Sequence, residues 1–183
     1  MKALNYVEEM EIPEGTNAKF EGSILVISKG KTVIKREFHD PRLQLTVEGN
    51  KIILQAPKVT RKEKMQIGTF VAHIKNMLSG VNEPYVYKLR ICSGHFPMNI
   101  AVSGKTITVK NFVGEKIPRV LTFKEGVDVK MEGQDIIVSS PDKELAGMTA
   151  GAIELICRRP GFDPRIFQQG IYIIEKCGKI MGA

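Results

Sequence analysis

Five basic residues lie among amide and aromatic side chains near the end of the chain. They are Arg158, Arg159, Arg165, Lys176 and Lys179, and only Asp163 and Glu175 oppose them. The residues between them include Gln168, Gln169, Gly170, Phe162, Phe167 and Tyr172. Arginine makes paired hydrogen bonds to phosphate, glutamine bonds ribose hydroxyls, and rings stack on unpaired bases. This combination favours RNA over a lipid surface, since prolines and glycines oppose the amphipathic helix that lipid binding requires. Phe162 and Tyr172 could equally belong to the core.

A second basic cluster lies where the first helix is predicted to begin. It consists of Lys58, Arg61, Lys62 and Lys64. Positive charge at this end opposes the helix dipole, whose N-terminus prefers anions. A bound phosphate would offset that cost and so would solvation, so these residues are predicted only as secondary RNA or phosphate contacts.

Reactive side chains do not form a catalytic pattern. His39, His73 and His95 are scattered, and no H-E-x-x-H or Cys/His cluster indicates a metal site. Cys157 precedes two arginines, which could lower its thiol pKa, but the pattern favours a buried cysteine at a helix end. The sequence therefore predicts a protein that is not an enzyme and has no cofactor, metal or small-molecule substrate.

The bulk properties point to a polyanionic partner. The net charge is +7 and the pI about 9.3, which favours nucleic acid first and an anionic membrane second. The three cysteines are odd in number and lack C-x-x-C spacing, so we expect reduced thiols. Acidic residues interrupt the N-terminus, and no apolar run approaches the ~18 residues of a membrane span. We expect a cytoplasmic protein without a membrane partner.

The chain matches itself when shifted by 84 residues. Pro13 falls on Pro97, Gly30 on Gly114, residues 48–53 on 132–137, and, after one deletion, 65–68 on 148–151. Turn residues in this collinear order indicate two copies of one unit. The predicted fold class is α+β, with two similar domains over residues 1–82 and 83–183. Each is predicted to be an antiparallel β-sheet packed on one main α-helix.

The first copy contains two predicted hairpins and a helix. The strands are expected at residues 23–28, 31–38, 43–47 and 51–55. Thr60 and Glu63 have the spacing of a capping box, and Gly80 is expected to end the helix. Its apolar face is predicted to comprise Ile67, Phe70, Val71, Ile74, Met77 and Leu78.

The second copy repeats this plan. Strands are expected at residues 106–112, 117–122, 127–131 and 135–139, followed by a helix with Ser140 as its cap and Pro141 in the first position. The buried helix face is predicted to comprise Leu145, Met148, Ala152, Leu155 and Ile156. A further strand is expected at residues 85–91, with either sheet open to it.

Three motifs are similar to a known family: His95–Asn99, Asn111–Lys116 and Arg165–Ile173. Together with the duplication, they make the chain resemble large-subunit ribosomal protein six, in its archaeal and eukaryotic form. The resemblance covers essentially the whole chain. The family usually has an acidic residue where this chain has Gln169, so the chain departs from the family pattern at this position.

This resemblance implies a structural ribosome component that binds large-subunit ribosomal RNA mainly through its second domain. It implies a position near the sarcin–ricin loop and the stalk base, beside neighbouring ribosomal proteins and docking translational GTPases. The closing motif then makes Arg165, Gln168, Gln169 and Gly170 the expected contacts, with Arg158, Arg159, Lys176 and Lys179 added for their charge. The alternative is a free-standing RNA-binding protein of the same fold that acts off the ribosome.

Overall fold

The computed structural model describes residues 6–57, 59–94, 96–161, 163 and 165–181. Lys58, His95 and Phe162, which the sequence singled out, lie outside the described residues. The chain divides into two compact units, Met1–Glu83 and Pro84–Ala183.

The first unit consists of two three-stranded antiparallel sheets and one helix. Its elements are β1 (Tyr6–Glu11), β2 (Asn17–Glu21), β3 (Ile24–Lys29), β4 (Thr32–Glu37), β5 (Gln44–Glu48), β6 (Lys51–Ala56) and α1 (Arg61–Asn82). The strand orders are β1-β6-β5 and β2-β3-β4. A two-residue turn joins β5 to β6, because Glu48 pairs with Lys51.

Helix α1 begins and packs as predicted. Thr60 accepts a hydrogen bond from the Lys62 amide, and Glu63 accepts one from the Thr60 amide at 3.0 Å, so the capping box is confirmed. The predicted apolar face packs on β3 and β4. The predicted end at Gly80 is wrong: the helix continues to Asn82, and Pro84 disfavours helical geometry at the residue before it.

The second unit repeats this plan and extends it. Its elements are β7 (Tyr85–Ser93), β8 (Asn99–Ser103), β9 (Thr106–Lys110), β10 (Arg119–Thr122), β11 (Asp128–Glu132), β12 (Asp135–Ser140), α2 (Lys143–Ile156), β13 (Gln169–Lys176) and β14 (Lys179–Ile180). One sheet has the order β10-β9-β8 and the other β11-β12-β7-β13-β14. Strand β7 therefore joins the larger sheet, between β12 and β13. The segment after α2 contributes an interior strand to that sheet.

The predicted cap of α2 is wrong. The helix begins at Lys143, and the Asp142 side chain accepts a hydrogen bond from the Glu144 amide at 2.9 Å. Ser140 still belongs to β12; its hydroxyl donates to the Gly126 carbonyl at 2.7 Å and accepts from the Asp142 amide. Because the strand extends to Ser140, Asp142 is the first side chain able to cap.

The predicted buried face of α2 is wrong at two of its five positions. Met148 and Leu155 are 58% and 59% exposed. The buried residues of α2 are instead Ala146, Thr149, Ala150 and Ile153, of which the first three have small side chains. Since α2 is apolar on nearly every side, periodicity could not select the face, and small residues let it lie close to the sheet. Among the described residues, neither helix combines the length and apolar character needed to cross a membrane.

Candidate nucleic-acid interface

A cleft of about 420 Å³ opens in the second unit where α2 ends and β13 begins. The sequence-predicted contacts Arg158, Arg159, Gln169 and Gly170 all line it. Both arginines are exposed, whereas Gln169 and Gly170 are buried in the wall. The fold thus joins the helix-end arginines to the middle of the motif Arg165–Ile173, although nine residues separate Arg159 from Gln169.

Gly170 allows the wall of the cleft to form. Its φ is 149°, a backbone angle that residues other than glycine rarely adopt. A Cβ placed there would lie 3.5 Å from the Cys157 Cβ and 3.7 Å from the Tyr172 ring.

Burial raises the pKa of the Cys157 thiol to about 11, so this group is neutral at physiological pH. The prediction of a buried helix-end cysteine is confirmed.

The Gln169 side chain fixes the beginning of β13. Its amide nitrogen donates to the Phe96 carbonyl at 3.1 Å, which sets the orientation of the amide group. Its Oε1 atom is buried and accepts no hydrogen bond from the described residues. Gln169 therefore acts on the cleft by holding the Phe96 segment against β13.

Arg119 caps the C-terminal end of α2. Its guanidinium group donates to the Ile156 carbonyl at 2.5 Å and to the Arg158 carbonyl at 3.4 Å, so it caps backbone groups that a helix end leaves unpaired. The same group forms a forked pair with Glu115, at 2.6 and 2.8 Å, and lies 4.4 Å from the centroid of the Phe112 ring. It holds the pKa of the Glu115 carboxyl below its usual value.

The segment after β9 completes one side of the cleft with a strained backbone. Val113, which lines the cleft, has a φ of 51°, and Asn111 has a φ of 59°. A β-branched residue in this region costs about 1–3 kcal/mol and persists only where surrounding contacts impose it. Here the buried Phe112 ring between them is fixed beneath Arg119.

Arg165 and Gln168 lie in the loop between α2 and β13, and both are exposed. The Arg165 guanidinium pairs with the Asp163 carboxylate at 2.8 Å, and Asp163 also accepts from the Arg165 amide at 2.9 Å. This pairing holds the pKa of the Asp163 carboxyl below its usual value. Asp163 would therefore compete with any phosphate for Arg165.

Lys176 and Lys179 lie away from the cleft. They face each other across the β13–β14 pairing, and both are exposed. Gln169 and Lys176 stand at opposite ends of β13, and seven strand steps of about 3.3 Å separate them by roughly 23 Å. The predicted contacts in the second unit thus form two groups, one at the cleft and one at this hairpin.

The basic cluster of the first unit surrounds the beginning of α1. Arg61, Lys62 and Lys64 are exposed there, and Lys58 lies outside the described residues. The Glu63 carboxylate already occupies the helix N-terminus, where it also accepts from Arg42 at 2.6 Å. Its hydrogen bond from Thr60 is the main cause that lowers its pKa to about 2. Because Glu63 supplies the negative charge that the helix dipole prefers, no phosphate is needed for that purpose.

Sequence reasoning missed several residues that shape the cleft. Glu154 lines the cleft from α2. Glu115 lies between β9 and β10 and Arg119 begins β10, remote in the chain from the end of α2, and only the three-dimensional fold brings Arg119 to the Ile156 carbonyl. A partial signal existed for Glu115, because it belongs to a motif that carried the family resemblance. Within the described ranges, no group of three or more His, Cys, Asp or Glu side chains could hold a metal ion. Cys92, Cys157 and Cys177 are all free thiols.

Comparison with known proteins agrees with the duplicated architecture. The family model described as Ribosomal protein L6 matches residues 12–83 and again 96–170. The chain is 41% identical to "Large ribosomal subunit protein uL6" of Methanococcus vannielii, over 95% of this chain and 96% of the relative. It is 42% identical to the protein of that name from Nanoarchaeum equitans, over 93% of each, and 40% identical to that from Sulfurisphaera tokodaii, over 96% and 95%. The chain belongs to the ribosomal protein L6 family.

Proposed function

We propose that the second unit binds large-subunit ribosomal RNA through the arginine-rich rim of its cleft. Membership of the L6 family makes the chain a structural, non-enzymatic protein of the large ribosomal subunit. The observation that supports the RNA site is the convergence of Arg158 and Arg159 with Gln169 and Gly170 of the motif Arg165–Ile173 in one cleft. Following the family resemblance, the RNA partner lies near the sarcin–ricin loop and the stalk base, beside neighbouring ribosomal proteins and docking translational GTPases.

The predicted contacts have different roles, which follow from their positions and exposure. Arg158 and Arg159 lie at the rim and are exposed, so they are the primary phosphate contacts. Arg165 and Gln168 act from the adjoining loop, and Gln169 and Gly170 shape the wall from its interior. Lys176 and Lys179 form a separate contact at the hairpin, outside the cleft. Arg61, Lys62 and Lys64 remain predicted as secondary contacts of the first unit.

Salt-dependent binding to large-subunit ribosomal RNA tests this assignment. Each neutralised phosphate contributes about −0.7 to −0.9 to the slope of log K against log salt, so four to six contacts give a slope on the order of −3 to −5. The variant R158A/R159A/R165A should weaken binding and flatten the slope by roughly 2 to 3. The control R61A/K62A/K64A removes the same charge and should change the slope less. A larger effect of the control would refute the site.

Asp163 offers a second test in the opposite direction. Asp163→Asn removes the carboxylate that pairs with Arg165 and should raise RNA affinity, because the guanidinium group is then available to phosphate. The gain should disappear in the D163N/R165A background. An unchanged affinity in D163N would exclude Arg165 as a contact.

Location distinguishes the ribosomal role from a free-standing one. In a sucrose gradient of cell extract the chain should travel with the large subunit. Footprinting of the bound ribosomal RNA should protect the sarcin–ricin loop and the stalk base. Sedimentation only with small, non-ribosomal complexes would favour the alternative of an RNA-binding protein acting off the ribosome.

A further inference from the structure

The cleft has aromatic walls and a cationic rim. Phe167 and Tyr172 line it, while Arg158 and Arg159 lie exposed at its edge. Its volume of about 420 Å³ falls within the roughly 300–1,000 Å³ range of sites that enclose small ligands. A concave site of this size is more than the contact of two arginines with a phosphate requires.

Several of the negatively polarised groups around the cleft already accept hydrogen bonds. Glu154 accepts a hydrogen bond from the Ile173 amide at 3.2 Å. The Ile156 and Arg158 carbonyls at the end of α2 accept from Arg119. Repulsion of an entering phosphate is therefore reduced, and the rings of Phe167 and Tyr172 lie among polar and aliphatic groups.

Tyr172 is a fixed ring within this interior. Its hydroxyl donates a long hydrogen bond to the Gln169 carbonyl at 3.5 Å, and its ring lies 3.7 Å from the position that a Cβ on Gly170 would occupy. The residue is half-buried, and this burial is the main cause that raises the pKa of its hydroxyl. A ring that is already held in place loses little conformational entropy when a base stacks on it.

These features suit the binding of a nucleotide whose base lies inside the cleft and whose phosphate lies at the rim. In a duplex the bases are stacked and paired, so they cannot enter the cleft, whereas unpaired bases stack readily on aromatic side chains. We propose that the cleft binds one unpaired nucleotide, with its base against Tyr172 and its phosphate at Arg158 and Arg159. This inference rests on the proposed RNA-binding function and specifies the RNA: a loop, bulge or single strand.

The test uses the full chain with three probes: large-subunit ribosomal RNA, the single-stranded octamer rA8 and the self-complementary eight-base-pair duplex (rGrC)4. The single strand should bind at least several-fold more tightly than the duplex at equal salt. Tyr172→Leu should lower single-strand affinity by roughly 5- to 150-fold, the range for loss of one base–aromatic stack, without changing the salt slope. Tyr172→Phe keeps the ring and should bind like the wild type. Tyr6→Leu, in the first unit, is the aromatic control and should have no effect.

A measurement on the wild-type chain keeps the test valid if Tyr172→Leu fails to fold. An octamer carrying one 2-aminopurine should change its fluorescence on binding, because the base moves onto a protein ring. Duplex binding as tight as the single strand, no loss in Tyr172→Leu, or ribosomal RNA binding without octamer binding would each overturn the inference while leaving the proposed function intact. Failure of the wild type to bind ribosomal RNA would instead overturn the proposed function.

Discussion

Replacing Gly147 of α2 with alanine would place a methyl group against a buried tyrosine. A Cβ at this position lies 3.1 Å from the Tyr87 hydroxyl oxygen and 3.5 Å from its Cζ atom. Tyr87 is only 8% exposed. Burial, followed by a hydrogen bond with Cys177, raises the pKa of Tyr87 to about 12. Because the ring is packed and its hydroxyl engaged, it has little room to recede.

The magnitude follows from two opposing terms. Alanine is favoured over glycine in a helix interior by about 1 kcal/mol, whereas overpacking a buried contact costs about 1–3 kcal/mol. We therefore expect Gly147→Ala to lower the free energy of unfolding by about 1 kcal/mol. Gly151 lies one turn further along the same helix, and a Cβ added there would meet no described atom of its surroundings within 4 Å. Gly151→Ala should therefore raise stability by roughly 0.5–1 kcal/mol.

Calorimetry of the full chain measures both variants on the transition of the second unit. In a Tyr87→Phe background the hydroxyl is absent, so Gly147→Ala should become stabilising, as Gly151→Ala is in the wild type. The tyrosine contact is refuted if Gly147→Ala stabilises the wild-type chain as much as Gly151→Ala does. An identical loss in the Tyr87→Phe background would refute it too.

Three further predictions concern capping, acid stability and thiol reactivity. Thr60→Ala should lower the free energy of unfolding by about 0.5–2 kcal/mol through loss of the α1 cap, while the mid-helix control Thr69→Ala should change it by less than about 0.5 kcal/mol, in urea titrations. Because the pKa of Glu63 is about 2 when folded and roughly 4.3 when unfolded, its stabilisation is complete above about pH 4.3 and is lost as the pH falls toward 2. Acid titration of Glu63→Gln should therefore show a shallower loss of stability in that window, and an unchanged slope would contradict the assignment. In single-cysteine variants at pH 8, Cys157 should react with a disulfide reagent far more slowly than Cys92, because it is buried and the pKa of its thiol is about 11; equal rates would contradict its burial.

The sequence was sufficient to predict those elements that depend on interactions between residues close together in the chain. The capping box of Thr60 and Glu63 lies within one helical turn, and the alternating residues of β5 and β6 flank a two-residue turn. The duplication was readable because turn residues recur in register. In each case the residues that carry the signal are also the residues that make the contact.

The features that the sequence did not predict depend on contacts between residues that are distant in the chain. The choice of buried face on α2 depends on how closely the sheet approaches, which favours Ala146 and Ala150 over Met148 and Leu155. The basic segment after α2 was predicted from its charge, but its role as strand β13 depends on pairing with β7. The cleft could not be anticipated, because Arg119 reaches the end of α2 from another sheet.

The position of β13 beside β7 also has a kinetic consequence. The pairing joins Gln169 to Ser93, so most of the second unit lies between the two partners, whereas β1 of the first unit pairs with β6 after a shorter connection. Pairings between distant parts of a chain form slowly because loop closure must precede them. The second unit should therefore fold more slowly than the first. Because Gln169 and Gly170 belong to β13, the proposed RNA site should form only when β13 pairs with β7, and a chain without this pairing should not bind RNA there.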